Sequence, residues 1–295
     1  MNAVRPNADT LPFSKGHGTE NDFVLLFDER GEVDLSPALV RALCDRRSGI
    51  GADGVLRAVR AGHIEEGKAF PADTWFMDYR NADGTTAEMC GNGARVFVAY
   101  LEREAGEDAT AGIVIATRGG PHTVTALGAS RYAVDMGAWS LDAEGGPEVA
   151  VRGWNPRPAV SVSMTNPHAV IAALTTDELA AADLCVAPEV DPTPPAGVNV
   201  ELVVPLGVDG ARGRLRMRVH ERGVGETRSC GTGACAAALA ARSWSGDGAP
   251  DVWDIEVPGG ALVVRIEDGR TILEGPAVLV ADGVLDLRSI APSAP

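Results

Sequence analysis

The sequence predicts an α+β protein made of two pseudo-symmetric domains, each a mostly antiparallel sheet wrapped around a central helix. Three observations lead there. A long stretch of chain repeats once at a fixed offset. Each copy is dominated by short segments that alternate apolar and polar residues, the period of a strand. Each copy also holds one helix of alanines and aliphatics, opened by the same five residues, Cys-Gly-x-Gly-Ala.

The repeat fixes the organisation. "MDYRNADGTTAEMCGNGA" from Met77 lies over "MRVHERGVGETRSCGTGA" from Met217, and the offset of 140 residues is kept by Cys90 and Cys230. It is kept again downstream, where "IVIATRGGPHTV" from Ile113 lies over "WDIEVPGGALVV" from Trp253. Upstream, "TENDFVLL" is similar to "MTNPHAVI", with Asn21 and Asn166 in register. A period this long excludes a solenoid and indicates two fused copies of one domain.

The elements follow in order. "NDFVLLFD" and "NPHAVIAAL" each begin with an Asn and run into a strand. A helix comes next, "SPALVRALCDRR" in the first copy, where Ser36 can cap and Pro37 occupies the first turn. "TTDELAAADLC" takes its place in the second. The extended segments "DTWFMDYRN" and "RLRMRVHER" lead through a loop to the two Cys motifs and their helices. Each copy closes with a hairpin, entered by a turn at the Gly-Gly pairs of 119 and 259. The tail "PAVLVADGVLDLRS" is one further strand. The Gly-, Pro- and acid-rich "AWSLDAEGGPEVAVRGWNPRP" reads as the linker.

Composition narrows the class. Among 295 residues, 45% are hydrophobic and 23% charged, which suits a globular chain long enough for a large core. A formal net charge of −15, with no basic cluster, argues against nucleic acid and against anionic membrane surfaces. The most apolar run, "ACAAALAA" from Ala234, is far shorter than the roughly 20 residues of a membrane span. The N-terminus lacks the apolar stretch of a signal peptide. Five cysteines fit free thiols in a reducing compartment, so a cytoplasmic location is expected.

The chemistry concentrates at Cys90 and Cys230. The first N–H groups of a helix have no partner and carry partial positive charge, so they hold anions and favour a thiolate beside them. The glycines let a ligand approach the backbone. Two matched sites, facing one carbon, suit removal of a proton from one face and its return to the other. Paired cysteines also suggest zinc, but only Cys230 and Cys235 approach a ligand spacing, and a helix points them apart; no metal is expected. "GIGADG", residues 49 to 54, matches a dinucleotide fingerprint in reversed context, after a helix and before a strand, and reads as a helix end and turn. Cys44, Cys185 and Cys235 lie in apolar helical contexts and read as core. Glu221 and Arg222 end the strand that feeds the second Cys loop, where Asn81 and Ala82 stand in the first copy; Arg suits a carboxylate and Glu an ammonium. His168 is either a satisfied core histidine or part of the repeated Asn segment's function.

These motifs identify the chain as similar to the diaminopimelate epimerases, two-cysteine racemases and epimerases that use no cofactor. The resemblance runs from about Phe13 to Leu285 and rests on "KGHGTENDFV", "GIGADG", "NADGTTAEMCGNGAR", "SMTNPHAV", "GVNVEL" and "ERGVGETRSCGTGACA". It implies interconversion of LL- and meso-2,6-diaminopimelate in lysine and cell-wall precursor synthesis, without pyridoxal phosphate or metal. Cys90 and Cys230 match the acid/base thiols, and His168 and Glu221 match side chains that support catalysis. The backbone of Gly91, Asn92, Gly231 and Thr232 matches the cradle of the reacting carboxylate. Asn21, Asn81, Asn166, Asn199, Glu221 and Arg222 match substrate contacts. The resemblance further implies a site in an interdomain cleft, a last strand that crosses back to the first domain, and a homodimer. The domains expected are residues 11–135, completed by 276–290, and 136–275. Two departures stand out: "GTENDF" where many relatives read "GLGNDF", and Gly54 where many carry a substrate-contacting Gln. The alternative is a proline or hydroxyproline racemase, whose motifs typically read "MCGHG" and "SPCGTG"; here Asn92 and "RSCGTG" stand instead. A phenazine-type isomerase would lack the thiols. A plain binding module would capture an amino acid without exchanging its α-proton.

Overall fold

The computed structural model describes residues 9–142, 145–195 and 197–290. The chain divides into two compact units, Met1–Val134 with Pro276–Pro295, and Asp135–Gly275.

The first unit opens with β1 (Thr10–Gly18) and β2 (Asn21–Phe27), an antiparallel hairpin that pairs Gly18 with Asn21. Its two-residue turn holds Thr19 and Glu20 in the left-handed region, at φ 51° and 62°. A two-residue hairpin turn of type I′ has positive φ at both positions, which glycine adopts freely and other residues at some cost. The turn sets Asn21 at the first position of β2. Helix α1 (Pro37–Cys44) follows as its sequence requires: Ser36 accepts from the Leu39 N–H, Pro37 fills the first turn, and Val40, Leu43 and Cys44 face the core. Strand β3 (Gly54–Arg60) runs parallel to β2, with Phe23 opposite Gly54, and β4 (Trp75–Asn81) returns antiparallel to β3, with Gly54 opposite Asn81. Gly54 admits no side chain, because a Cβ there would lie 2.5 Å from the Arg80 carbonyl oxygen. Helix α2 (Gly91–Glu104) is buried from Gly91 to Leu101 and packs on β1, β2 and β3. An antiparallel run of β5 (Ile113–Thr117), β6 (Gly120–Gly128) and β7 (Arg131–Ala138) follows.

The second unit repeats this plan. The expected linker is not structureless. It carries β8 (Ser140–Asp142), β9 (Glu148–Ala150) and β10 (Arg157–Pro158). Val149 and Val151, spaced two apart among acidic and proline residues, are buried in the core of this unit, and that burial makes an ordered strand of the segment. Strand β11 (Val160–Ser163) pairs with β12 (Pro167–Ala172), and the short α3 (Thr176–Ala181) is capped by Thr175. Strand β13 (Glu189–Asp191) adds to β9. Strand β14 (Asn199–Asp209) runs parallel to β12, with His168 opposite Asn199, and β15 (Arg212–Glu221) returns antiparallel to β14. A short β16 (Gly225–Thr227) folds back on β15. Helix α4 (Gly231–Ser245) is buried at Gly231 and from Gly233 to Ala241, and it packs on β11, β12, β14, β15, β17 and β18. Strands β17 (Val252–Val257), β18 (Gly260–Glu267) and β19 (Arg270–Pro276) close the copy. Strand β20 (Val278–Asp286) belongs to the first unit, antiparallel to β1 on the side away from β2. Each fully buried Phe, Leu or Ile stabilises its unit by about 1.5–3 kcal/mol, so a central helix with an apolar circumference is held on all sides.

Candidate active site

In the first unit Cys90 is the N-cap of α2. Its backbone is extended, φ −143° and ψ 117°, and its sulfur accepts from the Gly93 N–H at 3.4 Å. Ser, Thr, Asp and Asn dominate this position in helices generally, so a thiol here places a reactive atom at an anion-binding helix start. The Asn21 carboxamide oxygen accepts from the Cys90 thiol at 3.5 Å and from the Asn92 amide at 3.3 Å. Asn21 is held this way round from behind. Its own NH2 donates to Asp53 at 2.8 Å, and Asp53 takes Arg46 at 2.7 Å. Asp22 completes the cluster with Arg46 and Lys15. Burial works to raise the Asp22 carboxyl, but the hydrogen bonds from Arg46 and Lys15 outweigh it and bring it to about 2. Burial dominates at Asp53 and raises it. The Asn92 side chain is buried and its oxygen accepts from Arg95 at 2.9 Å. Arg95 is itself wholly buried and also donates to the carbonyls of Gly91 and Pro276. Asn81 sits at the end of β4, where its amide donates to Thr85 at 3.0 Å.

In the second unit Cys230 caps α4 in the same way, φ −121° and ψ 120°, accepting from the Gly233 N–H at 3.4 Å. Thr232 shares a hydrogen with its sulfur at 3.4 Å, and the Asn166 NH2 donates to Thr232 at 3.4 Å. The Asn166 oxygen faces His168 Nε2 at 3.1 Å, and His168 Nδ1 faces Glu201 at 2.7 Å. The Asn199 oxygen accepts from the Arg222 backbone N–H at 3.0 Å. Glu221 is bonded to Thr227 and to Cys230. Burial, with the Glu221 and Glu201 carboxylates nearby, pushes the Cys230 thiol well up; burial also raises Glu221. The Arg222 side chain projects from an exposed residue beside Gly197.

The structure therefore gathers Asn21, Cys90, Gly91 and Asn92 at one helix start. It gathers Asn166, His168, Glu221, Cys230, Gly231 and Thr232 at the other, with Asn199 and Arg222 on the adjoining strand ends. The duplicated asparagines are presented opposite ways round: Asn21 turns its carbonyl to the thiol, and Asn166 turns its NH2 to Thr232. Sequence reasoning missed four supporting residues, Arg46, Asp53, Arg95 and Glu201. Each left a signal. Asp53 lies inside "GIGADG", Arg95 stands one turn after Asn92, and Glu201 interrupts the apolar run of β14. One expectation is corrected. Cys185 is exposed, because α3 stops at Ala181, an Asp183 side chain turns the chain by accepting from the Cys185 N–H, and Leu184 takes the buried position. Cys44 and Cys235 are buried, and burial pushes the Cys44 thiol up to about 12. Among the described residues no group of three or more His, Cys, Asp or Glu is placed to hold a metal ion, and no helix is long and apolar enough to cross a membrane.

Known structures share this fold. A phenazine biosynthesis protein of the PhzF family from Bacillus anthracis superposes with a TM-score of 0.64 at 13% identity, covering 94% of this chain and 99% of its own. A hydroxyproline epimerase from Agrobacterium vitis superposes with a TM-score of 0.58 at 12% identity, covering 95% and 93%. Closer in sequence are two diaminopimelate epimerases. That of Streptomyces coelicolor is 48% identical over 287 residues, 94% of this chain and 96% of the relative. That of Thermobifida fusca is 46% identical over 286 residues, 95% and 100%. The family model for diaminopimelate epimerase matches residues 13–141 and 160–280. Fold and site together define the class, a duplicated α+β fold with a thiol at the start of the central helix of each unit. Within that class the chain belongs to the diaminopimelate epimerase family.

Proposed function

We propose that the protein interconverts LL- and meso-2,6-diaminopimelate by acid/base chemistry of Cys90 and Cys230. The observation that supports this most is the duplicated helix start, each with a thiol as its N-cap. In this reading the α-carboxylate binds the backbone N–H groups of Gly91, Asn92, Gly231 and Thr232 at the two helix starts. One cysteine, as thiolate, takes the α-proton; the electron pair left on carbon is spread into the carboxylate held by those N–H groups. The other cysteine, as thiol, delivers its proton to the opposite face. Each turnover exchanges which thiol carries the proton, and no electrons leave the system. Cys90 acts as base on the LL isomer and Cys230 on the meso isomer. Glu221 and His168 support the thiols, and Asn21, Asn81, Asn166, Asn199 and Arg222 hold the substrate. The free thiols suit the reducing cytoplasm, and a homodimer is proposed from the resemblance.

The test is turnover in D2O. Early in the reaction deuterium should enter the product isomer and not recovered substrate, because a different thiol returns the proton. Cys90→Ala and Cys230→Ala should each lower the rate by at least about 10²-fold. Equal labelling of substrate and product would show one base serving both faces and sink the two-thiol scheme. Turnover of proline in place of diaminopimelate would support the racemase alternative.

A further inference from the structure

The two units differ at one buried place where their folds match. Strand pairs β2–β3 and β12–β14 are equivalent, both parallel, and their registers make Phe23 the counterpart of His168, and Leu56 the counterpart of Glu201. Both pairs lie under the first turn of the thiol-bearing helix. A Cβ built on Gly93 would meet Leu56 and Phe23 at 3.5 Å each; one built on Gly233 would meet Glu201 Oε1 at 2.7 Å. All four side chains are buried.

The first unit is its own control. Phe and Leu fill this place and the fold forms, so packing does not require the His–Glu pair in the second. Taking a carboxylate and an imidazole out of water is costly, and well-packed apolar residues in their place are commonly as stable or more so. The arrangement is also incomplete as a structural device: the second oxygen of Glu201, Oε2, has no hydrogen-bond partner among the described residues. Gly233, by lacking a Cβ, leaves the space that the carboxylate occupies. A pair that the fold neither needs nor gains from points to the reaction.

A chain of hydrogen-bonded groups leads from it to the thiol. Glu201 meets His168 Nδ1 at 2.7 Å, His168 Nε2 meets the Asn166 oxygen at 3.1 Å, the Asn166 NH2 donates to Thr232 at 3.4 Å, and Thr232 meets the Cys230 sulfur at 3.4 Å. Both ring nitrogens face oxygens. Glu201 fixes the ring at Nδ1, which leaves Nε2 to donate to the Asn166 oxygen. Donation to the Asn166 oxygen is what turns its NH2 toward Thr232. We propose that Glu201 is a positioning residue for the Cys230 half of the reaction, acting through His168, Asn166 and Thr232 to hold the thiol in line. This rests on the epimerase reading above.

Glu201→Gln keeps the shape and removes the charge. It should lower kcat for diaminopimelate by about 10–10²-fold, the scale of a small misplacement of a reacting group, with KM within about threefold of wild type, since Arg222 and the helix N–H groups are untouched. Nitrogen-15 NMR of the histidine rings should show the His168 Nδ1 signal displaced in Glu201→Gln, because the contact that holds that nitrogen is altered, and the signals of the other histidines unmoved. The double variant His168→Phe/Glu201→Leu copies the first unit, and its melting temperature should equal or exceed that of wild type. A Glu201→Gln enzyme with kcat within twofold of wild type would overturn the proposal. So would a double variant that fails to fold, because the pair would then serve the structure. If wild type does not interconvert the isomers, the epimerase reading fails instead, while the NMR and melting results still decide whether Glu201 holds His168.

Discussion

Gly93 and Gly233 occupy the same position in the two Cys-Gly-x-Gly turns, and alanine should act on them in opposite directions. At Gly93 an added Cβ meets Cys90 Cβ at 3.4 Å and Leu56 and Phe23 at 3.5 Å, all ordinary van der Waals distances. The backbone there is helical, so alanine should stabilise by up to about 0.5–1 kcal/mol through the smaller entropy of the unfolded chain. At Gly233 the Cβ would stand 2.7 Å from Glu201 Oε1 and 3.2 Å from Cys230 Cβ. Such a contact cannot persist. The carboxylate is the far end of a flexible side chain, but it is wholly buried and bonded to His168, so moving it breaks that bond. A hydrogen bond to a charged group contributes about 1.5–3 kcal/mol. Set against the same backbone gain, the net is a loss of about 1–2 kcal/mol. Units of this size shift by roughly 2–4 °C per kcal/mol. Scanning calorimetry should therefore show Gly93→Ala melting at or slightly above wild type and Gly233→Ala melting about 2–8 °C below it. Equal shifts of the same sign would mean that the Glu201 carboxylate is not held where the contact places it, and the reasoning would fail.

Two other predictions concern the rim of each site. Asp22 is ionised more easily in the fold than in the unfolded chain, at about 2 instead of the ordinary carboxylate value. A depressed carboxylate contributes stability that is complete above about pH 4 and lost as pH falls through about 2; the contribution is at most about 2 kcal/mol, reduced by solvent around the half-exposed Arg46. Asp22→Asn should flatten the acid limb of a urea-unfolding pH profile between pH 4 and 2, and an unchanged limb would remove Asp22 as its cause. At the second site, Arg222→Met should lower kcat/KM for diaminopimelate at least about tenfold, from loss of a charge-assisted contact of about 1.5–3 kcal/mol with the distal carboxylate. Lysine, which lacks that carboxylate, should be a very poor substrate for wild type; steady-state kinetics showing comparable efficiency on lysine would contradict distal recognition.

What the sequence made legible was whatever repeats at a constant offset or follows a local rule. Helices α2 and α4 begin 140 residues apart, at Gly91 and Gly231, as the cysteine motifs require. Strands β6 and β18 begin at Gly120 and Gly260, at the same offset. The Ser36 cap, the Pro37 first turn and the thiol at each helix start could all be read from neighbours in sequence. Glu201 could not. Its significance depends on a parallel register between β12 and β14, strands that are far apart in the chain, and on a glycine in α4 leaving room for it. Asp53 was hidden for a related reason. The motif around it suggested a turn, which it is, while its carboxylate serves an asparagine on another strand. Cys185 was misread because apolar neighbours suggested a longer helix than α3, whose last residue is Ala181.

The first unit is discontinuous along the chain, and synthesis must feel it. Strand β1 pairs with β2 on one side and with β20 on the other, from Thr10 opposite Asp286 to His17 opposite Val278. On the ribosome β1 emerges with its hairpin partner, but the strand that covers its far edge comes only after the whole of Asp135–Gly275 has been translated. At about 5–20 residues per second that interval lasts on the order of ten seconds to a minute. Throughout it the nascent chain exposes a row of unpaired backbone N–H and C=O groups, the kind of edge that recruits other strands. The second unit, continuous in sequence, has no such wait and can finish first. Chaperone dependence and losses to aggregation during expression should therefore trace to β1 and its late partner before any other part of the molecule.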